Sequence, residues 1–202
     1  MKFLKLMLAS IVSLTATLAI AQEAPDALAK RVMTEVLDIV KTDKGIQSGD
    51  QKRISELVDA KVLPYFDFKH MTALAMGREW RNASPAQRDA VSAEFKTLLV
   101  RSYSNALAQY KNQSIDFKPL RMQPSDTDVI VRTEVKQPGA KPISIDYQMD
   151  KQANGWKVYD VMVAGVSLVT NYRETFAQEI KTGGIDALVK SLQEKNAGTA
   201  KK

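Results

Sequence analysis

One histidine, His70, stands three residues after Asp67, close enough on a helix for the carboxylate to orient the imidazole as a general base. The same Asp67 also reads as a helix N-cap, which would leave His70 a half-exposed polar side chain. Acid–base chemistry needs an oxyanion donor or a second carboxylate as well, and the sequence places neither beside the pair. Asp160, set between Tyr159 and Val161, reads as a partly buried acceptor for backbone or tyrosine groups rather than as a catalyst. A lone histidine among scattered carboxylates has no metal-ligand spacing. Cysteine is absent, which removes thiol catalysis and thiolate-bound metals. The nucleophile elbow, the Walker loop and the dinucleotide fingerprint are missing too. The expectation is a protein with no catalytic residue and no cofactor, with an enzyme built on His70 and Asp67 as the alternative.

Large, flexible apolar side chains are plentiful by contrast: Met71, Leu74, Met76, Leu99, Tyr103, Met149 and Met162. Methionine adapts its shape and suits surfaces that take variable apolar ligands. The same residues would serve equally in an ordinary core between sheet and helices. Composition and period leave a cavity and a filled core both open.

The elements that must position these residues follow a clear order. Leu28, Val32, Val36, Ile39 and Val40 form a helical stripe over 25–44, closed by Gly45. A shorter helix over 50–61 offers Ile54, Leu57 and Val58 and stops at Leu63-Pro64. Phe66, Asp67 and Met71 have the spacing of a hydrophobic staple around an N-cap, and Gly77 ends the helix they start. Ser84-Pro85-Ala86-Gln87 is a capping box with proline at the first helical position. The stripe behind it, from Val91 to Tyr110, predicts a helix of about 26 residues, or about 39 Å. The period then drops to two. Ile115 and Phe117, then Val129, Val131, Thr133 and Val135, then Ile143, Ile145, Tyr147 and Met149 alternate with polar residues, between turns of hairpin length.

The last run, GWKVYDVMV, breaks the rule for a strand with one wet face. Trp156 and Val158 fall on one side by simple alternation and Val161 and Val163 on the other. This predicts a strand covered on both sides, handing over at Gly165 to a helix with Val166, Val169, Tyr172, Phe176 and Ile180 on one stripe. A second helix over 185–192 follows Gly183-Gly184, and 194–202 reads as a frayed tail. The fold class is α+β: helices, a four-stranded antiparallel meander, helices.

Lys2 and Lys5, an apolar stretch from Leu6 to Leu18, and Ala19-Ile20-Ala21 form a secretory signal peptide. Cleavage after Ala21 would leave 181 of the 202 residues as one exported domain over 22–202. Removing the two leader lysines lowers the net charge from +6 to +4. That mild balance suits anionic headgroups or merely solvated lysines, and nucleic acid is not an expected partner outside the cytoplasm.

At 63–110 the order of residues resembles the MlaC family. The match runs through Pro64-Tyr65-Phe66-Asp67-Phe68, Gly77-Arg78-Glu79-Trp80-Arg81, Ala83 to Arg88, Phe95, Leu99, Tyr103 and Ala106-Leu107. It continues through Gly155 to Val161, Gly165-Val166-Ser167-Leu168, Asn171-Tyr172-Arg173, Phe176 and Gly184-Ile185-Asp186 with Leu188 and Leu192. Val91-Ser92 and Met76 depart from the pattern. The resemblance implies a periplasmic phospholipid-binding protein, also known as a toluene-tolerance auxiliary of a lipid ABC transporter. It implies a curved sheet wrapped by N-terminal and C-terminal helices around an apolar pocket, with bound phospholipid as cargo. The implied partners are an outer-membrane lipoprotein–porin complex and an inner-membrane ABC transporter with an MCE-domain protein, served by a monomer that maintains outer-membrane lipid asymmetry. Val129, Val131, Val135, Ile145, Tyr147 and Met149 are then candidates for one wall. Leu99, Tyr103, Val166, Val169, Met71, Leu74 and Met162 are candidates for the others. An envelope structural protein with a filled core is the remaining alternative.

Overall fold

The computed structural model describes residues 22–110 and 113–198, so the expected signal peptide lies outside the described residues. Eight α-helices are described: α1 (Pro25–Thr42), α2 (Lys44–Gln47), α3 (Gln51–Lys61), α4 (Phe68–Met76), α5 (Glu79–Asn82), α6 (Pro85–Tyr103), α7 (Asn105–Ala108) and α8 (Arg173–Gly198). The strands are β1 (Ser114–Phe117), β2 (Asp128–Lys136), β3 (Ile143–Gln152), β4 (Gly155–Val163) and β5 (Val166–Ser167).

Local chemistry sets the helix starts. Asp50 and Asp67 accept backbone N–H groups of the first turns of α3 and α4, and Asp43 does the same for α2. Ser84 and Gln87 form the reciprocal capping box of α6 at 3.0 and 3.2 Å. Gly77, at φ +58°, closes α4 in a conformation that a side chain would strain. The long helix expected over 85–110 is shorter: α6 ends at Tyr103, and Ser104 turns its hydroxyl back onto the Val100 carbonyl before the single turn of α7.

The helices bury two separate cores. In one, α4, α6 and α8 enclose Met71, Leu99, Leu188 and Leu192 around Phe95 and Phe176, whose rings meet edge-on at 5.1 Å. In the other, α1, α2 and α3 enclose Val36, Val40, Ile46, Ile54 and Leu57, with Leu107 of α7 against them. Helix α8 is kinked at Gly184, at φ +78°. It runs on to Gly198, so the tail expected to fray from Glu194 is helical there, and buried Asn196 donates to Glu94 at 2.8 Å.

The sheet is an antiparallel meander in the order β1-β2-β3-β4-β5, with five strands where alternation had shown four. The extra strand arises at Ala164 and Gly165, both at positive φ (+50° and +83°). Two left-handed residues in succession make a tight two-residue hairpin, so Val166 pairs with Val163 and Ser167 with Met162. Residues 165–172, expected to be helical, are therefore a hairpin and a 3₁₀ turn (Thr170–Tyr172), and α8 starts at Arg173. Asp160 holds this corner. Its buried carboxylate accepts the Val161 N–H at 2.8 Å, the Val169 N–H at 3.3 Å and the Ser167 hydroxyl at 2.5 Å.

The strand that seemed covered on both sides has a simpler explanation. Met149 pairs with Val158 but Gln148 pairs with Asp160, which leaves Tyr159 as an extra residue. This β-bulge shifts the phase of alternation. Trp156, Val158, Val161 and Val163 all share the face of Met149, Tyr147 and Ile145, while Asp160 and Met162 share that of Gln148 and Asp146. The expectation of an apolar covering on both sides is thereby corrected. It also separates two adjacent residues by environment. Val161→Gln should destabilise the fold by about 2–4 kcal/mol in denaturant unfolding, and Met162→Gln by less than about 1 kcal/mol. Equal losses would contradict the bulge assignment.

Candidate functional site

Cross-strand neighbours share a face and lie side by side, so the apolar side of the sheet can be read in rows. Val129, Met149 and Val158 form one row, and all three are buried. Leu28 of α1 and Trp156 are buried against the same cluster, with Ala29, Val32, Tyr65 and Phe66 around it. The next row is Val131, Tyr147 and Val161, of which only Tyr147 keeps accessible surface. Then come Phe117, Thr133, Ile145, Val163 and Val166. Thr133 is buried and donates to the Ile145 carbonyl at 2.7 Å, while Val166 is 57% exposed. The last row is Ile115, Val135 and Ile143, and Ile143 is 49% exposed.

Exposure thus rises row by row, from solid packing under α1 to open aliphatic surface at the β2–β3 and β4–β5 turns. Solvated aliphatic side chains scattered singly need no explanation, but a contiguous apolar surface with an open end does. Burial pushes the Tyr147 phenol well above the ordinary tyrosine range. At the end of α6, Tyr103 is 40% exposed, and the Tyr172 ring meets Phe95 edge-on at 5.1 Å.

The residues singled out from the sequence do not form one wall. Val129, Val131 and Met149 belong to the solid end of the apolar face, and Tyr147, Ile145 and Val135 to its accessible part. Met71, Leu99 and Val169 are enclosed in the helical core, with Leu74 half-buried at its edge. Val166 stands on a hairpin rather than on the helical stripe assigned to it. Met162 lies on the opposite face, where its sulfur accepts from Gln148 Nε2 at 3.2 Å, because the bulge reverses its phase. The same reversal hid Val163, which alternation had turned the wrong way. Leu168 is half-buried against the same apolar cluster.

The polar residues gather on the other side of the sheet. A cleft of about 570 Å³ is lined by His70, Leu74, Asp128, Gln148, Tyr159, Asp160 and Met162, with the β4–β5 corner at its side. The His70 ring stacks on Tyr159 at 4.4 Å, and its Nδ1 lies 3.2 Å from Asp150 Oδ2. The carboxylate beside the imidazole is therefore Asp150, not Asp67. Asp67 accepts the His70 N–H with one oxygen and Gln152 Nε2 with the other, at 2.9 and 2.7 Å. Asp67, His70 and Asp150 bring possible metal-ligand atoms within 4.8 Å of one another. Gln152 Nε2 also donates to Asp150 at 3.2 Å, so hydrogen bonds within the group already occupy these atoms. What the group does here is clamp the start of α4 to β3 and β4, reinforced by the Asp67 N–H donating to the Val158 carbonyl at 2.9 Å.

Comparison with known proteins agrees with this architecture. The profile of the family described as MlaC protein matches residues 30–194. The intermembrane phospholipid transport system binding protein MlaC of Haemophilus influenzae is 24% identical over 179 residues, covering 87% of this chain and 84% of that protein. The toluene tolerance protein ttg2D of Pseudomonas putida is 24% identical over 170 residues, covering 84% and 79%. A phospholipid-binding protein from Ralstonia solanacearum, solved in complex with a phospholipid, has a TM-score of 0.83 and 41% identity, covering 89% of this chain and 100% of that one. An α+β fold with helices over an antiparallel meander, a family profile spanning most of the sequence and a solved relative of the same architecture make this chain a member of the MlaC protein family.

Proposed function

We propose that this chain is a soluble periplasmic carrier that holds a phospholipid against the apolar face of its sheet. The observation that carries the proposal is the row-by-row opening of that face, which ends in accessible aliphatic side chains instead of a closed core. The relatives named for phospholipid transport and binding support the same reading. The family resemblance supplies the finer assignment: a monomer, released by cleavage after Ala21, shuttling lipid between an outer-membrane lipoprotein–porin complex and an inner-membrane ABC transporter with an MCE-domain protein. Its cargo takes the place of a cofactor.

The energetics require a carrier of this kind. Each acyl methylene is worth about 0.8 kcal/mol against water, so a single chain of about 16 carbons holds about 12 kcal/mol. Free phospholipid does not cross an aqueous gap at a useful rate, and the tails must travel covered. Val135, Ile145, Tyr147, Val163 and Leu168 form the wall that meets them. Val129, Val131 and Met149 back that wall, Leu99 and Val169 brace the helical side, and Tyr103 stands at the edge of the helical core.

Two substitutions separate this reading from its rivals. Ile145→Glu places a carboxylate against the acyl chains, at a cost of several kcal/mol unless it finds water or a proton. Extracted phospholipid per mole of protein should fall at least several-fold while the thermal transition survives. Unfolding of the variant points to a filled core, and unchanged lipid content contradicts the proposed wall. His70→Ala loosens the clamp on α4 but leaves the apolar face intact. Lipid content and transfer should stay within about threefold of wild type; loss of transfer by a folded variant would revive a catalytic or docking role for the polar cleft.

A further inference from the structure

Tyr147 occupies the boundary between the two regimes of the apolar face. Its row partners Val131 and Val161 are buried, and the row beyond it, Val129, Met149 and Val158, is sealed. On the other side, Ile145 and Val163 keep accessible surface. Tyr147 has the longest side chain of its row, and it alone there is aromatic. Thr133, one row nearer the open end, is buried and donates its hydroxyl to the Ile145 carbonyl at 2.7 Å. A flat aromatic ring, with fewer rotatable bonds, cannot reshape itself as freely as a methionine. A closely packed interior then converts ring volume directly into volume denied to a ligand.

We infer that Tyr147 is the stop that limits how far an acyl chain can enter along the sheet, and so selects the chain length of the cargo. The inference rests on the carrier reading. Chains entering at the Ile143–Val166 end run along Ile145 and Val163 and meet the ring before the sealed row. Tyr147→Ala removes the stop and opens the way toward Met149. Tyr147→Trp enlarges it. Tyr147→Phe keeps the ring but removes its hydroxyl, and separates steric from polar effects.

The test offers delipidated protein vesicles of phosphatidylglycerol carrying equal amounts of each saturated chain from lauroyl to stearoyl. Bound lipid is then extracted and its chain-length distribution read by mass spectrometry. Tyr147→Ala should shift the preferred chain upward by about two to four carbons, in keeping with the volume of the missing ring. Tyr147→Trp should shift it downward, and Tyr147→Phe, which keeps the ring, should stay within about one carbon of wild type. A folded Tyr147→Ala that binds lipid with the wild-type distribution overturns the inference. Should that variant fail to fold, Tyr147→Trp decides it, and an unchanged distribution there overturns it equally. Wild-type protein that takes up no phospholipid at all overturns the carrier reading instead.

Discussion

Opposite the Gln148–Met149 step of β3, β4 spends three residues, Val158 to Asp160, where regular pairing needs two. The continuation of the sheet's apolar face across the second half of β4 depends on that extra residue. Without it, Val161 and Val163 would turn toward the side of Gln148 and Asp146, and β4 would lose two of its four residues on the apolar face. With it, Trp156, Val158, Val161 and Val163 line up with Met149, Tyr147 and Ile145. The displaced phase also gives the polar side its character. Tyr159 donates to Asp128 at 2.7 Å and stacks on His70, and Asp160 organises the β4–β5 corner. One backbone irregularity therefore sorts a greasy surface from a hydrogen-bonded one.

The helices complete the arrangement by burying their own stripes. Phe95, Phe176 and Leu188 close one core, and Val40, Ile46 and Ile54 another, without drawing on the far rows of the sheet. Packing satisfied elsewhere lets the Ile145–Val163 region stay accessible without collapse. The polar clamp around Asp67, Gln152, Asp150 and His70 contributes by anchoring α4 across β3 and β4. In a chain without disulfides, such hydrogen bonds and close-packed aromatic edges have to hold the helices in place.

What could be read from the sequence was what depends on neighbours along the chain. The caps at Asp67 and Ser84 involve groups three residues apart, so their chemistry is visible in one dimension. Alternation put Val129, Val131, Ile145, Tyr147 and Met149 on shared faces, as the pairing has them. The bulge depends on a partner strand, so no period within β4 could reveal it, although apolar residues on both counted faces were its trace. Met162 and Val163 exchanged sides for that reason. The strand Val166–Ser167 is too short to alternate, and Val169 and Tyr172 beyond it mimicked a helical stripe. For Leu99 and Val169 the pattern gave burial but not what they are buried against, which turns out to be Phe95 and Phe176 and not the sheet.

The central claim is a location: acyl chains lie on the face of Ile145, Tyr147 and Val163, between the sealed row and the open turns. Binding a phospholipid with a photoactivatable diazirine near the end of one acyl chain, irradiating, and mapping the labelled peptides measures it directly. The account predicts labelling on β3 and β4 at or beside Ile145, Tyr147 and Val163, and on Leu168, abolished by competing unlabelled phospholipid. Saturable labelling confined to the helical core around Phe95, or to the polar cleft beside His70 and Gln148, would contradict it.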